Sequence, residues 1–139
     1  MIKVLKFIFN LSIIFLIVIS LWPGSLLGFL LYNDWGREPH IDELVLGIEN
    51  SFYSRLGSST INHFFYYLYV SLLGFYIYIK DENFKKLVYW LFFLSIISEL
   101  FHLVIPNRAF QLVDLIANIC GVTVAYFAIK IYLFIKNHE

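Results

Sequence analysis

The first candidates for chemistry in this chain are the few ionisable side chains that interrupt its long apolar stretches. Glu99 is the only formal charge between Lys86 and Arg108. Asp114 is the only one between Arg108 and Lys130. Charged groups inside membrane-spanning segments are costly and by default mark a functional site. The other polar candidates in or beside these stretches are His63, Tyr67, His102 and Asn118.

Helical spacing places these residues on shared faces. Residues three or four positions apart meet on one side of a helix. The sets with that spacing are His63 with Tyr67, Glu99 with His102, and Asp114 with Asn118 and Gly121. A glycine on such a face also lets a neighbouring helix approach closely. The sequence therefore predicts one polar site shared by three helices.

The composition indicates which elements must position this site. The 139 residues are 60% hydrophobic and 14% charged, with a mean hydropathy of +0.77. Soluble domains carry about 45–50% apolar and about 25% charged residues. Four stretches approach the roughly 20 residues that a helix needs to cross a bilayer, and internal backbone pairing makes them helices. We predict an all-α membrane protein, a single domain over 1–139, with a bundle of four transmembrane helices at about 4–22, 61–79, 87–105 and 110–135.

The basic residues predict an orientation, because cytoplasmic loops are enriched in Lys and Arg. With the N-terminus inside, the cytoplasmic segments hold Lys3, Lys6, Lys80, Lys85, Lys86, Lys130 and Lys136. The opposite side holds Arg37, Arg55 and Arg108. We therefore expect cytoplasmic N- and C-termini and a polar site in the outer half of the bundle.

The outer loop, residues 33–60, contains an amphipathic pattern. Its apolar residues recur mostly at steps of three and four, and Pro39 suits the first turn of a helix. These residues are Ile41, Leu44, Val45, Ile48, Phe52 and Leu56. The pattern predicts a short helix that lies on the outer membrane surface or caps the bundle, or that packs as an ordinary loop helix.

An ordered set of motifs resembles the VanZ-like family of bacterial membrane proteins over about residues 59–125. The motifs are His63-Phe64 with Tyr67, Glu99 near the end of a span, Pro106-Asn107-Arg108, and Asp114-x-x-x-Asn118-x-x-Gly121. The resemblance implies a multi-pass protein of the bacterial cytoplasmic membrane. The founding member of the family is associated with resistance to the glycopeptide teicoplanin.

Two positions depart from the family pattern. Members commonly carry Asp-Lys just ahead of the His-Phe pair, where this chain has uncharged residues that include Ser59 and Thr60. Members also often have Gln three residues after the Glu, where this chain has His102. The second departure adds a titratable group to the predicted site.

The leading hypothesis is a binding protein for the anionic headgroup of a lipid or cell-envelope precursor, with an effect on glycopeptide sensitivity. Arg108 would hold a phosphate or carboxylate through its planar fork. The predicted ligand-binding residues are His63, Tyr67, Glu99, His102, Arg108, Asp114 and Asn118. We expect membrane lipids or a lipid-linked precursor as partners, and neither a cofactor nor a metal. Ten Lys and Arg balance ten Asp and Glu, so the charge indicates no nucleic-acid partner.

Three other hypotheses use the same chain differently. A small membrane enzyme would perform acid–base or metal-assisted chemistry at His63, Glu99, His102 and Asp114. An accessory subunit would use the many lipid-facing aromatic residues to contact a partner in the membrane. In the simplest alternative, the polar residues form a clasp that only fixes the helix bundle.

Overall fold

The computed structural model of the protein describes residues 2–22, 33, 58–105, 108 and 110–138. These ranges contain four α-helices and no strand: α1 Ile2–Leu21, α2 Ser58–Tyr78, α3 Phe84–Leu100 and α4 Leu112–Lys136. A short 3-10 helix, Phe101–Leu103, continues α3. The short helix predicted in the outer loop 33–60, around residues 41–56, lies outside the described residues. The last residues of that loop form the start of α2.

Three of the four helices are long and apolar enough to cross a membrane. They are α1, α3 together with its 3-10 extension, and α4. This confirms the prediction of an all-α chain with membrane-spanning helices. By contrast, α2 is 21 residues long, which is sufficient in length, but its tyrosines, Asn62 and His63 make it less apolar. Its crossing of the membrane therefore stays a prediction.

The helices run up and down in alternation, so that each pair of consecutive helices is antiparallel. α2 and α4 form the most extensive contact, and α1 contacts α2 more than it contacts α3. Phe9 of α1 packs edge-to-face on Tyr78 at the end of α2, with ring centroids 5.9 Å apart. The fully buried side chains at the centre include Tyr67, Phe75, Leu91 and Val122.

Close packing of α2 against α4 depends on Gly121. A Cβ atom at this position would lie 2.5 Å from the Phe64 carbonyl oxygen and 2.9 Å from the Leu68 nitrogen. Both neighbours are backbone atoms, so no side-chain rotation would relieve the clash. The glycine therefore allows the two helix backbones to touch, and it lies on the same face of α4 as Asp114 and Asn118.

The end of the bundle that holds both chain termini is basic. The Lys6 ammonium group lies over the Tyr78 ring, 4.9 Å from its centroid, and Lys130 lies 5.5 Å from that of Tyr126. In the turn between α2 and α3, the backbone N–H of Asn83 donates to the Asp81 carboxylate at 2.8 Å. This hydrogen bond lowers the pKa of Asp81.

Candidate functional site

The opposite end of the bundle carries the polar residues singled out by the sequence. The C-terminal ends of α1 and α3 meet the N-terminal ends of α2 and α4 there. We call this set the polar cluster, and its members are Thr60, His63, Tyr67, Ser98, Glu99, His102, Arg108, Asp114 and Asn118. All seven residues predicted to bind ligand are in it; Thr60 and Ser98 are additional. Their role in ligand binding remains a prediction.

Asn118 fixes the proton position on His63. The amide nitrogen of Asn118 donates to the Ser95 carbonyl oxygen at 3.4 Å. This assigns its Oδ1 atom to the side facing His63, 3.0 Å from Nδ1. Since Oδ1 only accepts hydrogen bonds, Nδ1 of His63 must carry a proton. The other ring nitrogen is Nε2.

Asp114 faces this second nitrogen. Its Oδ2 atom lies 3.8 Å from His63 Nε2, while its Oδ1 atom accepts a hydrogen bond from the Thr60 hydroxyl at 2.5 Å. Asp114 is 6% exposed and His63 16% exposed in their side chains. A carboxylate and an imidazole therefore lie side by side, and the imidazole is the more exposed of the two.

The tautomer of His63 is open to direct measurement. In wild-type protein, nitrogen NMR of labelled histidine is expected to show a protonated Nδ1 for His63, with His63→Gln identifying the signal. Asn118→Leu removes the acceptor for Nδ1. The neutral ring is then expected to change to the tautomer with its proton on Nε2, which can donate a hydrogen bond to Asp114. An unprotonated Nδ1 in the wild type would contradict this geometry.

Glu99 and His102 form a second pair, which shares one proton. His102 Nε2 lies 2.9 Å from the Ser20 carbonyl oxygen, which only accepts, so Nε2 is protonated. His102 Nδ1 lies 3.1 Å from Glu99 Oε1. Without a proton between them, the lone pairs of Nδ1 and Oε1 would repel each other, so a hydrogen bond here requires one proton between these two atoms. Whether that proton belongs to imidazolium or to carboxylic acid, the pair carries no net charge.

Glu99 is completely buried but only partly satisfied. Its Oε1 atom also accepts the backbone N–H of Gln111 at 3.0 Å. Its Oε2 atom is buried and has no hydrogen-bond partner among the described residues. Gln111 caps the N-terminus of α4, so Glu99 and Asp114 both lie where the helix dipole favours negative charge.

Arg108 binds the C-terminal end of α1. Its Nε and one terminal nitrogen donate to the carbonyl oxygens of Trp22, at 3.0 Å, and Ile19, at 2.8 Å. Ile19 lies in the last turn of α1, where the helix dipole favours a cation beside the carbonyl oxygens. Burial lowers the pKa of Arg108, while Glu99 and Asp114 oppose that shift. The guanidinium keeps its charge, since its ordinary pKa lies far above neutrality.

The described residues provide no ion pair to Arg108. The side-chain ion pairs among them are His63 with Asp114 and His102 with Glu99. Arg108 is thus half-buried, and its hydrogen-bond partners among the described residues are the carbonyl oxygens at the end of α1.

The two pairs meet through their imidazole rings. The rings of His63 and His102 pack edge-to-face, with centroids 6.4 Å apart. Below them, the Tyr67 hydroxyl and Ser98 Oγ are 2.6 Å apart and hydrogen-bonded. Among the described residues, no group of three His, Cys, Asp or Glu is arranged to hold a metal ion.

The additional residues had weak sequence signals. Thr60 precedes His63 by three positions and so shares its face of α2. Ser98 is adjacent to Glu99 and packs against another helix, a contact that spacing within α3 does not reveal. Serine and threonine are also frequent at ordinary helix–helix contacts in membranes, so their presence alone does not identify a site.

Comparison with known families agrees with these motifs. The sequence model of the VanZ/LLP1 family matches residues 4–134. The chain belongs to the VanZ/LLP1 family. The match extends over all four helices and beyond the 59–125 region in which the motifs occur. No curated protein and no solved structure matches the chain.

Both departures from the VanZ-like pattern have structural roles here. Thr60, in the uncharged segment ahead of the His-Phe pair, donates to Asp114. His102 links Glu99 to the end of α1. In this VanZ-family member, therefore, a hydroxyl and an imidazole take part in the hydrogen bonds that connect the helices at the polar cluster.

Proposed function

We propose that this VanZ-family membrane protein binds the anionic headgroup of a lipid or lipid-linked cell-envelope precursor at the polar cluster. The observation that carries the proposal is the half-buried Arg108 guanidinium without a carboxylate partner among the described residues. A buried charge is stable only when it is paired. A phosphate or carboxylate group would supply the missing counter-ion.

The geometry of Arg108 suits such a ligand. Contacts to α1 use Nε and one terminal nitrogen, and these hold the planar group in a fixed direction. The second terminal nitrogen has no partner among the described residues. Guanidinium hydrogen bonds to anionic oxygen are about twice as strong as neutral ones. A ligand at this nitrogen would therefore find a donor that is already positioned.

The remaining charges in the polar cluster also permit an anion. The Glu99–His102 pair is neutral overall, and Asp114 compensates one positive charge. The His63 side chain beside Asp114 is the more exposed of the two, at 16% against 6%, and so lies where a ligand could reach it.

The orientation of the site follows the distribution of lysines. The opposite end of the bundle holds Lys6, Lys80, Lys85, Lys86 and Lys130, which favours that end as the cytoplasmic face. We therefore propose a multi-pass protein of the bacterial cytoplasmic membrane with both termini inside and α2 as the fourth span. The polar cluster would then face headgroups of the outer leaflet.

Lipid retention by the purified full chain tests the headgroup proposal. The expected result is about tenfold preferential retention of phosphatidylglycerol over phosphatidylcholine, the effect of one charge-assisted hydrogen bond. Arg108→Gln should abolish this preference. Lys80→Gln removes the same charge at the opposite end and should leave it unchanged.

Two further arms of this experiment identify the source of the anion. Inorganic phosphate should compete if the site recognises the phosphate group alone, and it should fail to compete if a lipid is required. Equal retention of the two lipids by the wild-type protein would refute the proposal. Loss of the preference in Lys80→Gln would also refute it, because the preference would then reflect overall charge.

An effect on glycopeptide sensitivity would follow if the ligand is an envelope precursor. Expression of the wild-type chain in a bacterium that lacks it should then change the growth-inhibitory concentration of teicoplanin, whereas expression of Arg108→Gln should not. If the wild-type protein is present in the membrane and the growth-inhibitory concentration of teicoplanin does not change, the proposal is limited to ordinary membrane lipids.

One observation favours a second candidate function, acid–base catalysis. Nδ1 of His63 is held by Asn118 and Nε2 lies 3.8 Å from Asp114, so a histidine and a carboxylate, two groups that carry out acid–base catalysis, lie side by side. The described residues position no nucleophile against Nε2, so the binding function is the better supported. Turnover of a bound precursor that is lost in His63→Gln would favour the enzyme.

A further inference from the structure

A cleft in the side of the bundle leads from the apolar surface to the polar cluster. It lies between α1 and α3 and has a volume of about 220 Å³. Its floor is formed by the buried residues Leu16, Ser20, Tyr67 and Ser98. Its walls are Ile17 and Leu21 on one side and Leu94, Ile97 and Phe101 on the other.

The cleft is suited to hydrocarbon rather than to polar groups. The hydroxyl groups on its floor are engaged, because Tyr67 and Ser98 hydrogen-bond to each other at 2.6 Å. Its walls present only aliphatic and aromatic side chains. The volume lies below the roughly 300 Å³ at which pockets for whole small ligands begin. It therefore fits part of one flexible chain and not an entire lipid.

One end of the cleft meets the charged groups directly. The carbonyl oxygen of Ser20, on the floor, accepts a hydrogen bond from His102 Nε2. Ser98 and Phe101 are the sequence neighbours of Glu99 and His102, and Arg108 binds the carbonyl oxygens that flank this part of α1. A molecule with an anionic group at Arg108 would have its apolar part beside this cleft.

We infer that the cleft between α1 and α3 holds one acyl chain of the anionic lipid whose headgroup binds at Arg108. This inference rests on the proposed function and adds the class of ligand, an anionic amphiphile bound by both of its parts. The positive charge of Arg108 at one end and the apolar walls of the cleft at the other select an anionic amphiphile over a soluble anion.

A second groove provides an internal control. It lies between α1 and α2, has a similar volume of about 230 Å³, and is lined by Ser12, Phe15, Leu16, Ile19, Tyr66, Tyr69 and Val70. None of these residues belongs to the polar cluster. Ile17 and Ser12, both on α1, therefore line one groove each.

Photolabelling with phosphatidylglycerol that carries a diazirine in its acyl chain tests the inference in bilayer discs. Labels are expected to concentrate on the facing segments of α1 and α3. Ile17→Trp should lower this labelling about tenfold, the effect of displacing roughly two methylene groups. Ser12→Trp, in the second groove, should leave it within about twofold. Leu94→Trp, on the opposite wall of the cleft, should lower the labelling as Ile17→Trp does. Agreement between the two variants would exclude misfolding of one of them as the cause.

The outcomes separate this inference from the proposed function. Uniform labelling of all lipid-facing helices, or equal effects of Ile17→Trp and Ser12→Trp, would overturn the cleft as a chain site even if the headgroup preference is observed. Equal labelling by phosphatidylglycerol and phosphatidylcholine probes in the wild type would overturn the proposed function, and the inference with it.

Discussion

Replacing His102 with leucine is expected to lower the free energy of unfolding by about 3–5 kcal/mol, the usual cost of removing one partner from a buried pair. Glu99 has no solvent exposure, and its Oε2 atom already lacks a partner. Without His102, Oε1 would keep only the Gln111 N–H, and the Ser20 carbonyl would lose its donor. Unfolding by SDS in mixed micelles measures the change.

Two comparisons make this result specific. His138→Leu, the same substitution at an exposed position near the C-terminus, should change stability by less than about 0.5 kcal/mol. The double variant with Glu99→Leu should regain part of the loss, since apolar residues often replace a buried pair at little cost. Additive losses would show that the two side chains do not share a proton.

Gly121→Ala is expected to be destabilising by about 1–3 kcal/mol, because the new methyl group would overlap backbone atoms of α2. The overlap at the Phe64 oxygen and the Leu68 nitrogen can be relieved only by moving one helix away from the other. That movement would also separate Asp114 from Thr60. The variant should therefore lose both stability and the phosphatidylglycerol preference.

Gly74→Ala is the matched control for Gly121→Ala. A Cβ atom there would also be close to a neighbour, 2.6 Å from Cε2 of Phe9. That neighbour is the outer edge of a side chain, which can rotate. We expect a loss below about 1 kcal/mol and an unchanged lipid preference. Equal losses at the two glycines would show that close backbone approach is not what Gly121 provides.

Much of the helical framework was predictable from the sequence because the membrane imposes simple rules. The apolar stretches and their interruptions predicted the helices to within a few residues, with α1 starting at Ile2 and α4 ending at Lys136. For α2 the signal was weaker, since tyrosines and polar residues dilute its apolar character. Its contacts with α4, rather than its composition, place it in the bundle.

The membership of the polar cluster was predictable, but its hydrogen bonds were not. Charges that are rare inside apolar stretches identified Glu99 and Asp114, and helical spacing added His102 and Asn118. Spacing within one helix gives no information about rotation relative to another helix. For that reason the contact of Arg108 with the end of α1, and that of Thr60 with Asp114, emerged only from the structure.

These contacts also bear on the clasp alternative. Arg108 and His102 do hold the end of α1, so part of the polar cluster has a stabilising role. A pure clasp, however, would be expected to pair its buried charge internally, as Glu99 does with His102. Arg108 has no carboxylate partner among the described residues, so the lipid-retention experiment with Arg108→Gln decides between a binding site and a structural clasp.

The most direct test is the distance between the Arg108 guanidinium and lipid phosphorus, measured by nitrogen–phosphorus dipolar dephasing in solid-state NMR of the protein in phosphatidylglycerol bilayers. We expect strong dephasing of the Arg108 side-chain nitrogens, whose signal is assigned by its loss in Arg108→Gln. The Lys80 signal should show no more dephasing than a mobile surface group. An Arg108 signal that is rigid yet not dephased would refute a headgroup site at Arg108.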